Sequence, residues 1–166
     1  MNRSSWALRA LVVWIALAAT SLATPQAAKN TKEPASMPAP HYFSAKFEGL
    51  KWEKMFPEFG ADSPEICILR VDPRTQATQL FIRNPKKMRV PRHWHTANET
   101  HTILNGTYVF ECEGKREELG PGSFNYIASK MIHQAWLPDN GLVFITVDSG
   151  WDVNWVDGPP QPPKKP

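Results

Sequence analysis

Cysteine is scarce in this sequence, with Cys67 and Cys112 the only two in 166 residues. That excludes a small scaffold held together by several disulfides. In an oxidising compartment the even count admits one bridge, but a domain of this length does not need it. Cys112 also falls on an apolar strand face, like a small core residue. An excess of one charge is lacking too. There are 19 Lys and Arg against 16 Asp and Glu, and without Arg3 and Arg9, which belong to a terminal segment, 17 basic residues remain. So even a balance gives no reason to invoke nucleic acid or an acidic membrane as partner. Long apolar runs are missing: the stretch from Ala10 to Ala19 is too short to span a bilayer comfortably. A long helical periodicity is missing as well, which turns attention to strands.

Residues 1–23 have the three parts of a secretory signal in order. Arg3 and Arg9 precede the apolar run, and Ser21-Leu22-Ala23 forms a small-x-small cleavage site. The expectation is processing after Ala23, an exported mature protein in the periplasm or outside the cell, and no stable membrane span once processed. The alternative is an uncleaved anchor. No cysteine follows the site, which argues against a lipid-modified N-terminus. Residues 24–40 are Ala, Lys and Pro with almost nothing to bury and read as a linker, and 158–166 repeat that composition as a Pro-rich tail. The domain lies between them, over 41–157, and with 42% hydrophobic residues overall the chain is globular in character.

Within that domain, short apolar-rich runs alternate with turn residues. The runs cover 65–72, 76–83, 88–95, 99–104, 107–113, 123–127, 133–137 and 142–148. Their separators include Asp72-Pro73, Asn84-Pro85, Asn105-Gly106, Glu113-Gly114 and Pro121-Gly122. Eight or more short strands at this spacing predict an all-β sandwich or barrel. After the Asn105-Gly106 turn, Tyr108, Phe110 and Cys112 share one face while Glu111 and Glu113 take the other. The barrel lining is thus expected to be aromatic and dry.

The chemistry gathers between Pro91 and Gly106. On a strand, His93 and His95 point to the same face about 6.5 Å apart at the backbone, with Trp94 opposed. After a turn at Thr96, Ala97 and Asn98, the next strand carries Glu99, His101 and Ile103 on one face, and Glu99 can lean back toward the histidine pair. Neutral imidazoles with a carboxylate suit Mn, Fe, Co, Ni, Cu or Zn better than Mg or Ca. His133 is the candidate fourth ligand. His101, sharing the face of Glu99, is the candidate catalytic acid or base, since imidazole titrates near neutrality. The alternative is a hydrogen-bonded core histidine.

The spacing His93-x-His95, three residues, Glu99, six residues, Gly106 resembles the first motif of the cupins without error. Residues from Gly122 to His133 resemble the second, with Ala128 in place of the usual proline and Lys130 in place of the usual glycine. This resemblance, covering roughly residues 50–150, implies a double-stranded β-helix, or jelly-roll, barrel. It implies one divalent transition metal (Fe, Mn, Ni, Cu or Zn) on His93, His95, Glu99 and His133, a small-molecule substrate or ligand, and a homodimer. Cupins include dioxygenases, decarboxylases, lyases, isomerases and non-catalytic binders. The function expected is a metal-dependent oxygenase acting on a small organic substrate. The alternatives are a lyase or isomerase, and a binding or sensing protein. Trp151 and Trp155, just beyond the last run, are expected to plug one barrel end or to form a subunit contact, with sugar stacking as the functional alternative.

Overall fold

The structure is a computed structural model that describes residues 42–162. The expected signal segment and linker, and residues 163–166 of the tail, lie outside them. Among the described residues no helix is long and apolar enough to cross a membrane. The described residues form eleven strands in two antiparallel sheets. They are β1 (Glu53–Lys54), β2 (Glu65–Val71), β3 (Thr78–Asn84), β4 (Met88–Trp94), β5 (Glu99–Asn105), β6 (Tyr108–Cys112), β7 (Lys115–Leu119), β8 (Phe124–Ile127), β9 (His133–Leu137), β10 (Gly141–Val147) and β11 (Asn154–Trp155). One sheet has the order β1-β2-β3-β10-β5-β8, and the other β11-β4-β9-β6-β7. The expected jelly-roll barrel is present.

Each of the eight expected runs contains a strand, with ends shifted by two residues at most. Period-two burial explains why. Along β10, Gly141, Val143, Ile145 and Val147 are buried and alternate with half-buried Leu142, Phe144 and Thr146. β5 buries Glu99, His101 and Ile103 in the same rhythm, and β6 buries Tyr108 and Phe110. The inner faces meet in one core that includes Leu80, Ile103, Tyr108, Phe110, Ile127, Val143 and Ile145. β7 was not expected. Its residues Lys115 to Glu118 are all exposed, so no alternation marks it, and it is held at the sheet edge by pairing with β6. The two cysteines are free, Cys67 on β2 and Cys112 on β6, one on each sheet. In the Pro-rich tail, Pro160 is buried.

Gly106 turns β5 into β6 at φ +83°, and a Cβ there would come within 2.4 Å of Pro138 Cγ. Both the left-handed backbone and the close approach demand glycine. Gly106→Ala is expected to cost about 2 kcal/mol, read as a lowered denaturant midpoint with unchanged slope. An unaltered midpoint would contradict the argument. Lys130 also has a left-handed backbone, φ 64°. A non-glycine residue tolerates this conformation less well than the glycine usual at this place in the cupin motif.

Candidate metal centre

Each sequence-predicted site residue reaches one place between the sheets. β4 and β9 pair antiparallel with His93 directly opposite His133, and their rings lie 4.2 Å apart between centroids. A register shift between Val90 and His93 brings the end of β4 into this alignment. His95 follows two residues on, just past the strand end. The ligand nitrogens of His93, His95 and His133 all lie within 4.8 Å of one another. Glu99 comes from the opposite sheet, at the start of β5. Its Oε2 is 3.1 Å from His95 Nε2 and 3.7 Å from His133 Nε2. His101, two residues along the same face, places Nε2 3.5 Å from the same oxygen. All five side chains are buried.

The orientation of the rings is set from behind. His93 Nδ1 lies 2.7 Å from the Pro91 carbonyl and His133 Nδ1 3.0 Å from that of Met131, while His95 Nδ1 bonds the carbonyl of Asp152. A carbonyl only accepts, so each Nδ1 carries the proton and each Nε2 turns a bare lone pair inward. These lone pairs face Glu99 Oε2, which is buried and receives no well-formed hydrogen bond. Four acceptors thus converge where only a proton or a cation can satisfy them. A borderline divalent metal fits this donor set.

The electrostatics agree with that geometry. Burial, followed by the neighbouring His133, lowers the His93 pKa to about 3. Burial likewise takes His133 down to about 4, against the opposing pull of the Met131 carbonyl. His95 goes the other way: burial opposes its charge, but the Glu99 carboxylate 3.1 Å away wins and raises its pKa. For Glu99, burial favours the neutral acid, yet His101, His95 and His133 outweigh it and keep the carboxylate ionised. His93 and His133 are thus held neutral and ready to ligate, while His95, neutral in its ligating form, takes up a proton more readily than they do.

The metal-free protein should therefore lose stability in acid. His93 and His133 have folded pKa values below that of a free imidazole, about 6.5. The unfolded chain then binds more protons, and stability falls as pH drops from about 6.5 toward 4. His95, raised, opposes this with one group against two, and Glu99, lowered, adds to the loss below about pH 4.5. The melting temperature of EDTA-treated protein is expected to fall by roughly 5 °C or more over that window. A flat or rising profile would contradict the assignment.

Loops tie the site to the rest of the fold. In the turn between β4 and β5, the Asn98 backbone N–H donates to Asp148 Oδ1 (3.0 Å), and Asn98 Oδ1 accepts from Ser129 N–H (2.9 Å). Lys130 N–H donates to the His95 carbonyl at 2.8 Å. The segment after β10 closes the other side: Asp152 accepts from the Thr96 N–H and hydroxyl, and Arg92 pairs Asp157 through two bonds of 2.9 and 2.7 Å. This segment places the Trp155 ring 5.3 Å from His93 and stacks Trp151 at 6.4 Å from His95. Both tryptophans line the cavity. The role of the Asp152 carbonyl behind His95 was not foreseen, because no side-chain pattern signals it. A cavity of about 280 Å³ opens beside the histidines, walled by residues such as Ile66, Ile82, Val90, Leu137 and Val143.

Residues 79–148 match the family model described as Cupin domain. The fold is a cupin barrel. No curated protein matches the sequence. Among solved structures, KdgF from Halomonas sp. is 18% identical, with TM-score 0.54 over 66% of this chain and 94% of that one. The DMSP lyase DddQ from Ruegeria pomeroyi is 18% identical, with TM-score 0.55 over 66% of this chain and 63% of its own. A Methylibium petroleiphilum protein proposed to be an acetylacetone dioxygenase is 12% identical, with TM-score 0.58 over 74% and 88%. At these identities the likeness is one of fold.

Proposed function

We propose that the protein holds one divalent transition metal on His93, His95, Glu99 and His133 and acts as a metal-dependent oxygenase on a small organic substrate. The observation that carries the metal is the convergence of three Nε2 lone pairs on a buried carboxylate oxygen that lacks a donor. Bound there, such a metal would supply Lewis acidity and redox chemistry for a chelating substrate.

The chain's own residues do the rest. The Pro91, Asp152 and Met131 carbonyls hold the three imidazoles in the ligating tautomer, and the apolar walls exclude water. His101 differs from the other three. Its Nδ1 meets the side-chain amide of Asn125 at 2.8 Å, and an amide can present either its oxygen or its NH2 group. His101 can therefore carry its proton on either nitrogen, which suits it to pass one beside the metal. This favours an enzyme over a binding protein, which needs no such group. A lyase or isomerase would use the same parts without dioxygen.

Metal analysis of purified protein, followed by an oxygen-uptake screen over small chelating substrates, tests the reading. Metal in the protein with uptake supports it. Metal with substrate turnover but no uptake moves the assignment to a lyase or isomerase, and metal with ligand binding alone moves it to a sensor. No metal after incubation with Fe, Mn, Ni, Cu and Zn would overturn it. Export belongs to the same proposal, on the order of charged, apolar and small residues in 1–23. Mass spectrometry of the mature protein should find Thr24 first, and retention of Met1 would contradict this.

A further inference from the structure

The polar groups that line the cavity are gathered at one end. Besides His93, His95, His133, Glu99 and His101, the lining offers only Tyr108 and the two tryptophans. The Tyr108 hydroxyl is committed to Asn84 Oδ1 at 3.0 Å. Trp151 Nε1 is buried without a hydrogen-bond partner, and its ring lies 6.4 Å from His95, at the histidine end. Among the described residues that line the cavity there is no Lys, Arg, Asp, Asn, Gln, Ser or Thr. The remaining wall is aliphatic, aromatic or thioether, with Met55 beside Phe56, whose ring packs 6.5 Å from that of Trp155. A second charge on a ligand would be buried there without partner, and a polyol would lose its hydrogen bonds to water with none in return. The volume, about 280 Å³, is at the small end for ligand sites.

We propose that the cavity takes a small, uncharged and largely apolar molecule with a single oxygen-donor head, the head at the histidine cluster and the tail against the apolar wall. This rests on the metal reading above and narrows its small organic substrate to molecules without a charged tail. Sugars and sugar acids are excluded, and the two tryptophans serve as an apolar wall, not a sugar platform.

The test uses 4-methylcatechol and 3,4-dihydroxybenzoate, which share a chelating pair and differ by a methyl against a carboxylate at the tail. Affinities are measured by calorimetry on metal-loaded and EDTA-treated protein, with metal content determined on the same samples. The methyl compound is expected to bind at least about tenfold tighter. Met55 is half-buried in this wall, where a long side chain can reach both the cavity and solvent. Met55→Arg is expected to close that gap by giving the carboxylate a partner. Equal or tighter binding of the carboxylate to wild type, or no binding of 4-methylcatechol to either form, overturns the inference. If no metal is found but the methyl compound is still preferred, the metal reading falls and the inference about the cavity stands. If metal is found and the carboxylate is preferred, the reverse holds.

Discussion

His93→Ala and His95→Ala should each leave purified protein with less than about a tenth of the wild-type metal. The two imidazoles are presented together from the end of one strand, and His93 faces His133 across the β4–β9 ladder, so removing one breaks a chelate whose remaining members cannot close up. His133→Ala should fall between these and Glu99→Gln. The last keeps an oxygen donor but removes the charge, and it should weaken affinity by on the order of tenfold to a hundredfold. Folding should survive the loss of His93. His93 is already neutral in the metal-free state, its pKa held at about 3 by burial, so its removal leaves no buried charge unpaired. The measurement is metal per subunit by elemental analysis, on protein free of a histidine tag. Full metal in both His93→Ala and His95→Ala would sink the assignment.

The site was legible in the sequence because strand parity is an unambiguous code. Residues two apart share a face, so the sequence alone places the ligand pair together and the trio Glu99, His101 and Ile103 together, and all of them are buried. The strands were legible where one face is apolar. β7 escaped notice because nothing in Lys115 to Glu118 is buried, and its existence depends on the backbone of β6. The supports behind the ligands escaped for a different reason. His95 is oriented by a carbonyl 57 positions away, and a main-chain oxygen has no residue type by which to be recognised. Lys130 illustrates a third limit: the resemblance showed a missing glycine, but only the backbone shows that Lys130 itself takes a left-handed conformation.

His101→Gln should lower turnover by about a hundredfold or more while leaving metal per subunit unchanged, and this separates His101 from the three other imidazoles. All four rings point at one carboxylate, and distance alone does not sort them, since His101 Nε2, at 3.5 Å from Glu99 Oε2, is closer than that of His133 at 3.7 Å. The sorting comes from the far side of the rings. Backbone carbonyls hold the protons of His93, His95 and His133 on Nδ1, whereas the partner of His101 is an amide on the adjacent strand β8, paired residue to residue with it. A ligand benefits from a fixed tautomer, and a proton carrier benefits from one that can change. Gln keeps a polar contact to Asn125 but cannot carry a proton near neutrality, so the pH profile of kcat should lose one limb as turnover falls. The readouts are metal content, which needs no substrate, and the pH profile on the substrate found by oxygen uptake. Loss of metal in His101→Gln would make His101 a fifth ligand, and full turnover with an unchanged profile would return it to the status of a core histidine.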